Sequence, residues 1–322
     1  MDLTKAFDTI NHKLLLAKLS TYGFSKSALT LVFSYLSERW QRTWINTAFS
    51  TWIEVLQGVP QGSVLGPLLF NIYINDLFWF NEKTEIANLA DDNTYFACDK
   101  KLEDVVQRLE YDALIAIEWF DNNYMKLNAE KCNLLIGGNK SRTEHIFVKV
   151  GDAMIWGSQS EKLLGLVIDN KLKFDAHISN LCKTANRKIS VLARMARYLD
   201  RGKMKILMNA YITSQFSYSP LTWMFHTREI NHRINKVHER ALRIVYGDYS
   251  LPFNDLLEMD NSCTIHQRNV QSLAIELFKC KIGTAPPILA NIFPQTSKGF
   301  ILPAAKSTFM GLQSLQYFGC QV

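Results

Sequence analysis

The hydrophobic pattern of this 322-residue chain changes character near residue 176. Before that point, short β-rich runs alternate with stretches of helical period. After it the pattern is almost wholly helical. A sheet must cover one face with helices, whereas helices can pack on one another. The chain therefore reads as an α+β unit followed by a helical one.

In the first part, helical periodicity follows Ile10, with Leu14, Leu15, Leu16 and Leu19 apolar and Gly23 as the stop. It recurs over Lys26–Leu36, about Val64–Phe78 and Leu102–Asn123. Arg42–Asn46 with Trp52–Leu56, and Glu85–Leu89 with Thr94–Cys98, read as two hairpins. Gly58-Val-Pro-Gln-Gly62 is a loop by composition. Cys132–Ile136, Ile146–Val150 and Leu164–Ile168 read as strands. The last forty residues, with Pro286, Pro287, Pro294 and Pro303, read as irregular.

The formal charge of +6 hides an asymmetry. Residues 1–150 carry 15 Lys/Arg against 18 Asp/Glu, or −3; residues 151–322 carry 21 against 12, or +9. An acidic half suits cations and a basic half suits a polyanion. Between residues 176 and 205 there are eight Lys/Arg and one acid, Asp200. Ile178, Cys182, Ala185, Ile189, Leu192, Ala196 and Leu199 step by four and three, which is one helix face. Lys183, Arg187, Arg194, Arg197 and Arg201 fall on the other, so one amphipathic helix with a cationic outer side is expected. Such a one-sign stripe repels itself, and phosphates relieve it. A second helix, about Ile230 to Val245, adds Arg233, Lys236, Arg240 and Arg243, interrupted by Glu239.

Three carboxylates can meet in the first part. Asp2 opens a presumed strand, and Asp91 and Asp92 lie between two short ones. Adjacent strand residues point to opposite faces, so a tight turn is needed to aim both aspartates at one site. Clustered carboxylates repel unless divalent cations neutralise them. Mg²⁺ takes such oxygen ligands, and two ions about 4 Å apart suit phosphoryl transfer. An Asp-Asp pair alone is common in solvated turns, so the reading rests on several segments together.

Those segments resemble a known family. Asp2-Leu-Thr-Lys-Ala-Phe-Asp8 resembles the first carboxylate motif of reverse transcriptases. Gly58-Val-Pro-Gln-Gly-Ser-Val-Leu-Gly-Pro-Leu-Leu-Phe70 is similar to their Pro-Gln-Gly motif, and Leu89-Ala-Asp-Asp-Asn93 to the second carboxylate motif. Trp119–Lys131 and Leu163–Asp169 resemble the two palm motifs that follow. Their order and spacing are similar to those of non-LTR (LINE-type) retrotransposons, in the jockey or CR1-like branch. The resemblance implies a polymerase palm with an antiparallel sheet over residues 1–175, its fingers truncated. A helical thumb with a basic helix follows at 176–250, and then an extension at 251–322 whose fold the sequence does not set.

The same resemblance implies RNA-directed DNA synthesis with two Mg²⁺ ions, Mn²⁺ being a possible substitute. RNA template, DNA primer and deoxynucleoside triphosphates are the implied partners. Asp2, Asp91 and Asp92 match the catalytic, metal-holding carboxylates. Phe7 matches the ring that excludes a 2′-OH, Gln61 and Gly62 match residues lining the nucleotide pocket, and Lys131 matches a general acid. Asp8 is expected to cap the following helix or brace the loop. Lys183, Arg187, Arg194, Arg197 and Arg201 are the expected nucleic-acid contacts.

Family members carry a fingers region before the first carboxylate, and this sequence begins one residue before Asp2. Impaired activity is the expectation that follows, with the Met1 α-amino group, about 3.8 Å along the chain, competing with a cation. A catalytically inactive nucleic-acid-binding remnant is the alternative. Six cysteines without a CxxC pair read as reduced thiols, and the sequence shows no targeting signal, so an intracellular site, nuclear or cytoplasmic, is expected. The longest apolar stretch, Val64–Leu77, is broken by Gly66, Pro67, Asn71, Asn75 and Asp76, which disfavours a membrane span. Oligomeric state leaves no signature.

Overall fold

A computed structural model describes residues 1–138 and 145–287, with isolated positions up to residue 300. They form two compact units, one from residues 1–136 and 145–159, the other from residues 137–138 and 160 onward. Helices and small sheets mix in the first, and helices dominate the second. The units divide at Gln159 and Ser160, whereas the palm and thumb labels expected from the sequence divide at 175. The segment 160–169 makes the difference, since it groups with the helices.

The first unit begins with β1 (Asp2–Leu3) and a 3-10 turn at Ala6–Asp8. Helix α1 (His12–Thr21) starts where the Asn11 side chain accepts from the Leu14 amide. Helix α2 (Lys26–Leu36) starts under Ser25, which accepts from Ala28. Such caps satisfy amides that have no partner inside the helix. Four two-residue strands follow: β2 (Trp40–Gln41), β3 (Trp44–Ile45), β4 (Ala48–Phe49) and β5 (Ile53–Glu54). They nest, β3 pairing with β4 inside the β2–β5 pair. A hairpin is thus present, but with another pairing than expected: Trp44–Ile45 meets Ala48–Phe49, which lies in the expected turn, and Ile53–Glu54 meets Trp40–Gln41, outside the expected first run.

The apolar helix expected from Val64 to Phe78 is two helices, α3 (Leu65–Ile74) and α4 (Leu77–Phe80). β6 (Glu85–Leu89) and β7 (Asp92–Phe96) form the second hairpin. The long α5 (Leu102–Asn122) precedes β8 (Leu127–Asn128), β9 (Leu134–Leu135), β10 (Phe147–Val150) and β11 (Ala153–Ser158). The palm sheet expected from the resemblance is antiparallel. Instead the unit holds small separate ladders, and β9 pairs with β11 in parallel. Leu15, Leu19, Phe70, Tyr73 and Phe120 are fully buried at its centre.

A buried carboxylate fixes the start of the second hairpin. Asp112 of α5 accepts from the amides of Glu82, Lys83 and Thr84 and from the Thr84 hydroxyl, at 2.6–3.2 Å. The four bonds satisfy a carboxylate that is itself buried and would be costly to leave unpaired.

In the second unit β12 (Ser160–Leu163) and β13 (Leu166–Asp169) form a tight hairpin, with Leu164 and Gly165 at positive φ. The Asp169 carboxylate then accepts from the amides of Lys171, Lys173 and Phe174 and leads into α6 (Asp175–Met195). Helix α7 (Arg201–Tyr211), the short α8 (Pro220–Trp223), α9 (Arg228–Tyr246), α10 (Phe253–Asp260) and α11 (Ile265–Lys281) complete it. Ile178, Ile189, Met208, Trp223, Leu242 and Leu256 form its core. No helix among the described residues is long and apolar enough to cross a membrane. Cys132, Cys182 and Cys263 are free thiols.

Two predictions follow from these buried polar groups. Asp112→Ala removes the acceptor shared by three amides and a hydroxyl, so the unfolding free energy in urea should fall by about 2 kcal/mol; an unchanged midpoint would refute the bracing role. In the second unit, burial first, and Arg268 second, push the His238 pKa down to about 4, against a smaller opposing effect of Asp260. Its ordinary value is 6.5. Stability from keeping it neutral is therefore complete above pH 6.5 and is lost as pH falls toward 4, about 3 kcal/mol in all. Hydrogen exchange at α9 amides should show this loss in the native chain beyond that in His238→Leu. Parallel losses in both would contradict it.

Candidate functional site

The segment 7–12 and the loop 57–62 are joined backbone to backbone. The Val59 amide donates to the Phe7 carbonyl at 2.9 Å and the Gly58 amide to the Ile10 carbonyl at 2.8 Å. Asn11 and Gln57 form an isolated bridge, and a His12 ring nitrogen lies 2.7 Å from the Gly58 carbonyl. Gly58 sits at φ +82°, and a Cβ there would lie 2.8 Å from the Asp8 Cα and carbonyl oxygen. Only glycine permits this approach.

The contact brings together three of the expected residues. Phe7, half-buried, stacks on Phe70 with centroids 4.4 Å apart and rings 18° from parallel. The Gln61 amide donates to the Asp8 carboxylate at 2.9 Å. Asp8 thus braces the loop, and Asn11 holds the capping position. Gly62 follows, exposed, at φ +80°.

Asp2 lies on β1, opposite Asn128 of β8. The Asn93 amide donates to the Met1 carbonyl at 3.3 Å, which ties β1 to β7. The turn of the second hairpin is only Ala90 and Asp91, with Ala90 at φ +53° and Leu89 opposite Asp92. Asp91 therefore lies in the turn, and exposed Asp92 already belongs to the strand. The Asn93 side chain donates to the Asp91 carbonyl at 3.0 Å. Lys131 reaches Asp2, Nζ to Oδ2 at 3.3 Å, from an exposed position. The Met1 α-amino group donates to the Asn93 carbonyl at 2.5 Å. Burial pushes its pKa down, partly offset by Cys132, Asp2 and Asp92.

Asp2, Asp91 and Asp92 supply the donor type that a divalent cation takes, and the ion-pair partner of the Asp2 carboxylate is an exposed lysine. Such an exposed pair is weak and yields to a cation at the Asp2 carboxylate. No three His, Cys, Asp or Glu among the described residues gather as a metal site.

In the second unit the expected five-residue stripe divides. α6 ends at Met195, and α7 begins after Asp200, whose side chain accepts from the Lys203 amide. Arg201 therefore opens a different helix and lies over the Tyr246 ring at 5.1 Å. Ala196, expected in the buried face, is exposed. Lys183, Arg187, Arg194 and Arg197 are exposed. Lys183 lines a groove with Arg233, Lys236 and Arg240 of α9. The sequence showed these α9 cations but gave no sign that α6 and α9 are neighbours.

The docked segments lie within a stretch that matches a known protein family. Residues 1–168, over half of the chain, match the reverse transcriptase (RNA-dependent DNA polymerase) family, so the chain belongs to that family. Over 218 residues it is 28% identical to the RNA-directed DNA polymerase from mobile element jockey of Drosophila melanogaster, covering 66% of this chain and 24% of that protein. The jockey protein of Drosophila funebris is 30% identical over 222 residues, 64% of this chain and 24% of that one. The probable RNA-directed DNA polymerase from transposon X-element of Drosophila melanogaster is 26% identical over 258 residues, or 77% and 28%. These relatives bear out the non-LTR retrotransposon assignment. The chain spans about a quarter of their length.

Gly58→Ala tests the docking. The added methyl meets backbone that cannot yield, so the unfolding free energy should fall by about 2 kcal/mol in urea. Wild-type stability would show that the loop is not held there.

Proposed function

We propose that this chain is the palm and thumb of a mobile-element RNA-directed DNA polymerase, with residues 1–175 as palm and 176–250 as thumb. The observation that carries the proposal is the docking of the Gln61 loop onto the Phe7 segment. These two motifs lie fifty residues apart, and in this family both belong to the nucleotide pocket. In this reading a bound deoxynucleotide packs its sugar against the Phe7 ring. The ring is held by Phe70 and leaves no room for a 2′-OH. Gly62 lets backbone come close to the substrate. Asp2, Asp91 and Asp92 are the catalytic carboxylates. Lys131, now on Asp2, is the group positioned to protonate leaving pyrophosphate. RNA template, DNA primer and deoxynucleoside triphosphates are the partners. The family implies two Mg²⁺ ions, with Mn²⁺ as a substitute.

A nucleic-acid-binding role without catalysis is favoured by a different observation, the cations that line the groove on α6 and α9. Primer extension on poly(rA)/oligo(dT), with Mg²⁺ or Mn²⁺, separates the two. Template-dependent incorporation should occur and fall to background in Asp91→Ala. Incorporation that persists in Asp91→Ala overturns the site assignment. No incorporation with either ion, from a folded chain that still binds template–primer, leaves the binding role.

A further inference from the structure

We infer that His12 is a positioning residue of the nucleotide pocket, acting by locking the Gly58–Val59 peptide in one orientation; the inference rests on the reading of this chain as a nucleotide polymerase. Both ends of that one peptide unit are held. Its N–H, the Val59 amide, donates to the Phe7 carbonyl at 2.9 Å. Its C=O, the Gly58 carbonyl, lies 2.7 Å from Nε2 of the His12 ring. A carbonyl only accepts, so Nε2 carries the proton and donates.

This peptide needs a lock. Gly58 has no Cβ and tolerates backbone angles closed to other residues. On the glycine side, therefore, little resists a flip that turns the Gly58 carbonyl and the Val59 amide end for end. Gly58 and Val59 are both buried, and a buried carbonyl without a partner is costly. His12 supplies the partner from the first turn of α1, beside the Asn11–Gln57 bridge. Leu15 and Leu19 of the same helix are fully buried, so the donor is carried on a rigid element.

The two ends of the peptide lead to two sides of the pocket. One is the backbone of Phe7, whose ring stacks on Phe70. The other is Gln61, reached through Pro60, whose ring fixes φ. Beyond Pro60 the loop braces itself. The Ser63 hydroxyl donates to the Pro60 carbonyl at 2.7 Å and accepts from the Gly66 amide at 3.0 Å, which closes the loop onto α3. The Gly58–Val59 peptide is thus the joint between a self-braced loop and the Phe7 segment. The contact of Gln61 with Asp8 spans the same gap, but it is exposed and holds less firmly than a buried bond. The imidazole on the joint therefore sets how Phe7 and Gln61 stand to each other, and so how well a nucleotide is held between them. His12 itself is assigned no contact with the substrate.

The test is steady-state primer extension on poly(rA)/oligo(dT) by the full chain, with dTTP and with UTP, alongside hydrogen exchange at the Val59 amide. His12→Leu removes the donor, whereas His12→Gln puts an amide N–H where Nε2 stood. His12→Leu should raise KM for dTTP about tenfold, change kcat by less than about threefold, and cut the preference for dTTP over UTP about fivefold. His12→Gln should bring all three back to within about threefold of wild type. Exchange at Val59 should quicken about tenfold in His12→Leu and not in His12→Gln. A merely structural role would lower the folded fraction, and with it kcat, while KM and the preference stayed as in wild type. That result, or equal defects in the two variants, overturns the inference. Should His12→Leu fail to fold, His12→Asn, whose amide stops short of the Gly58 carbonyl, takes its place with the same expectations. A wild-type chain that incorporates nothing refutes the polymerase reading. Val59 exchange then still decides the lock, which stands if only the variants without the donor lose protection and falls if all exchange alike.

Discussion

Gly58 is the point at which two distant stretches of backbone touch. A Cβ there would stand 2.8 Å from the Asp8 backbone. Without one, the amides of Gly58 and Val59 reach the carbonyls of Ile10 and Phe7. Everything proposed for the nucleotide pocket depends on that approach. It sets the Phe7 ring on Phe70, and it brings Gln61 within reach of Asp8. Gly58 also takes a left-handed conformation that other residues adopt at a cost, so conformation and close approach select glycine for separate reasons.

The sequence was most legible where one local rule acted alone. Lys26–Leu36 and Glu85–Leu89 have the bounds expected from the sequence, and in the structure the Ser25 side chain caps the helix. It was least legible where two rules gave the same pattern. The apolar positions of α6 keep their helical step past Met195, so periodicity runs on into the next helix. Only the Asp200 cap, two residues before Gly202, signals the restart. The second hairpin shows the reverse problem. Ala90 occupies a left-handed turn position where glycine or asparagine is usual, and the turn was expected two residues longer. That shift moves Asp92 from loop to strand and sets Asp91 apart in the turn. β11 and β12 went unread because a six-residue run containing glycine and a polar four-residue run carry little strand signal.

The candidate residues were legible as types more than as neighbours. Asp8 was narrowed to a cap or a brace, and geometry decided: Asn11 caps and Asp8 braces. The Lys131–Asp2 pair could not be read, because it depends on β1 and β8 lying side by side. Being exposed on the lysine side, it is a weak contact, worth at most about 1 kcal/mol, and a stronger partner for either group displaces it at little cost.

Charge asymmetry in the sequence acquires a physical meaning only through such pairings. A net +9 over residues 151–322 says nothing of which cations are already satisfied. Arg243, on Glu239, and Lys205, on Asp260, are; in the groove Arg233 is held by the Ser179 hydroxyl and Arg240 by the Asn186 side chain, both neutral. Holding them so is cheap for the fold. Two exposed like charges about 6 Å apart repel by only about 0.7 kcal/mol in water, and salt with a screening length of about 8 Å reduces that further. A polyanion laid along them gains from each charge in turn, through release of its counterions. A surface of this kind is tolerated in the free protein and becomes favourable when occupied. Its orientation by serine and asparagine, not by acids, is what keeps both of those statements true at once.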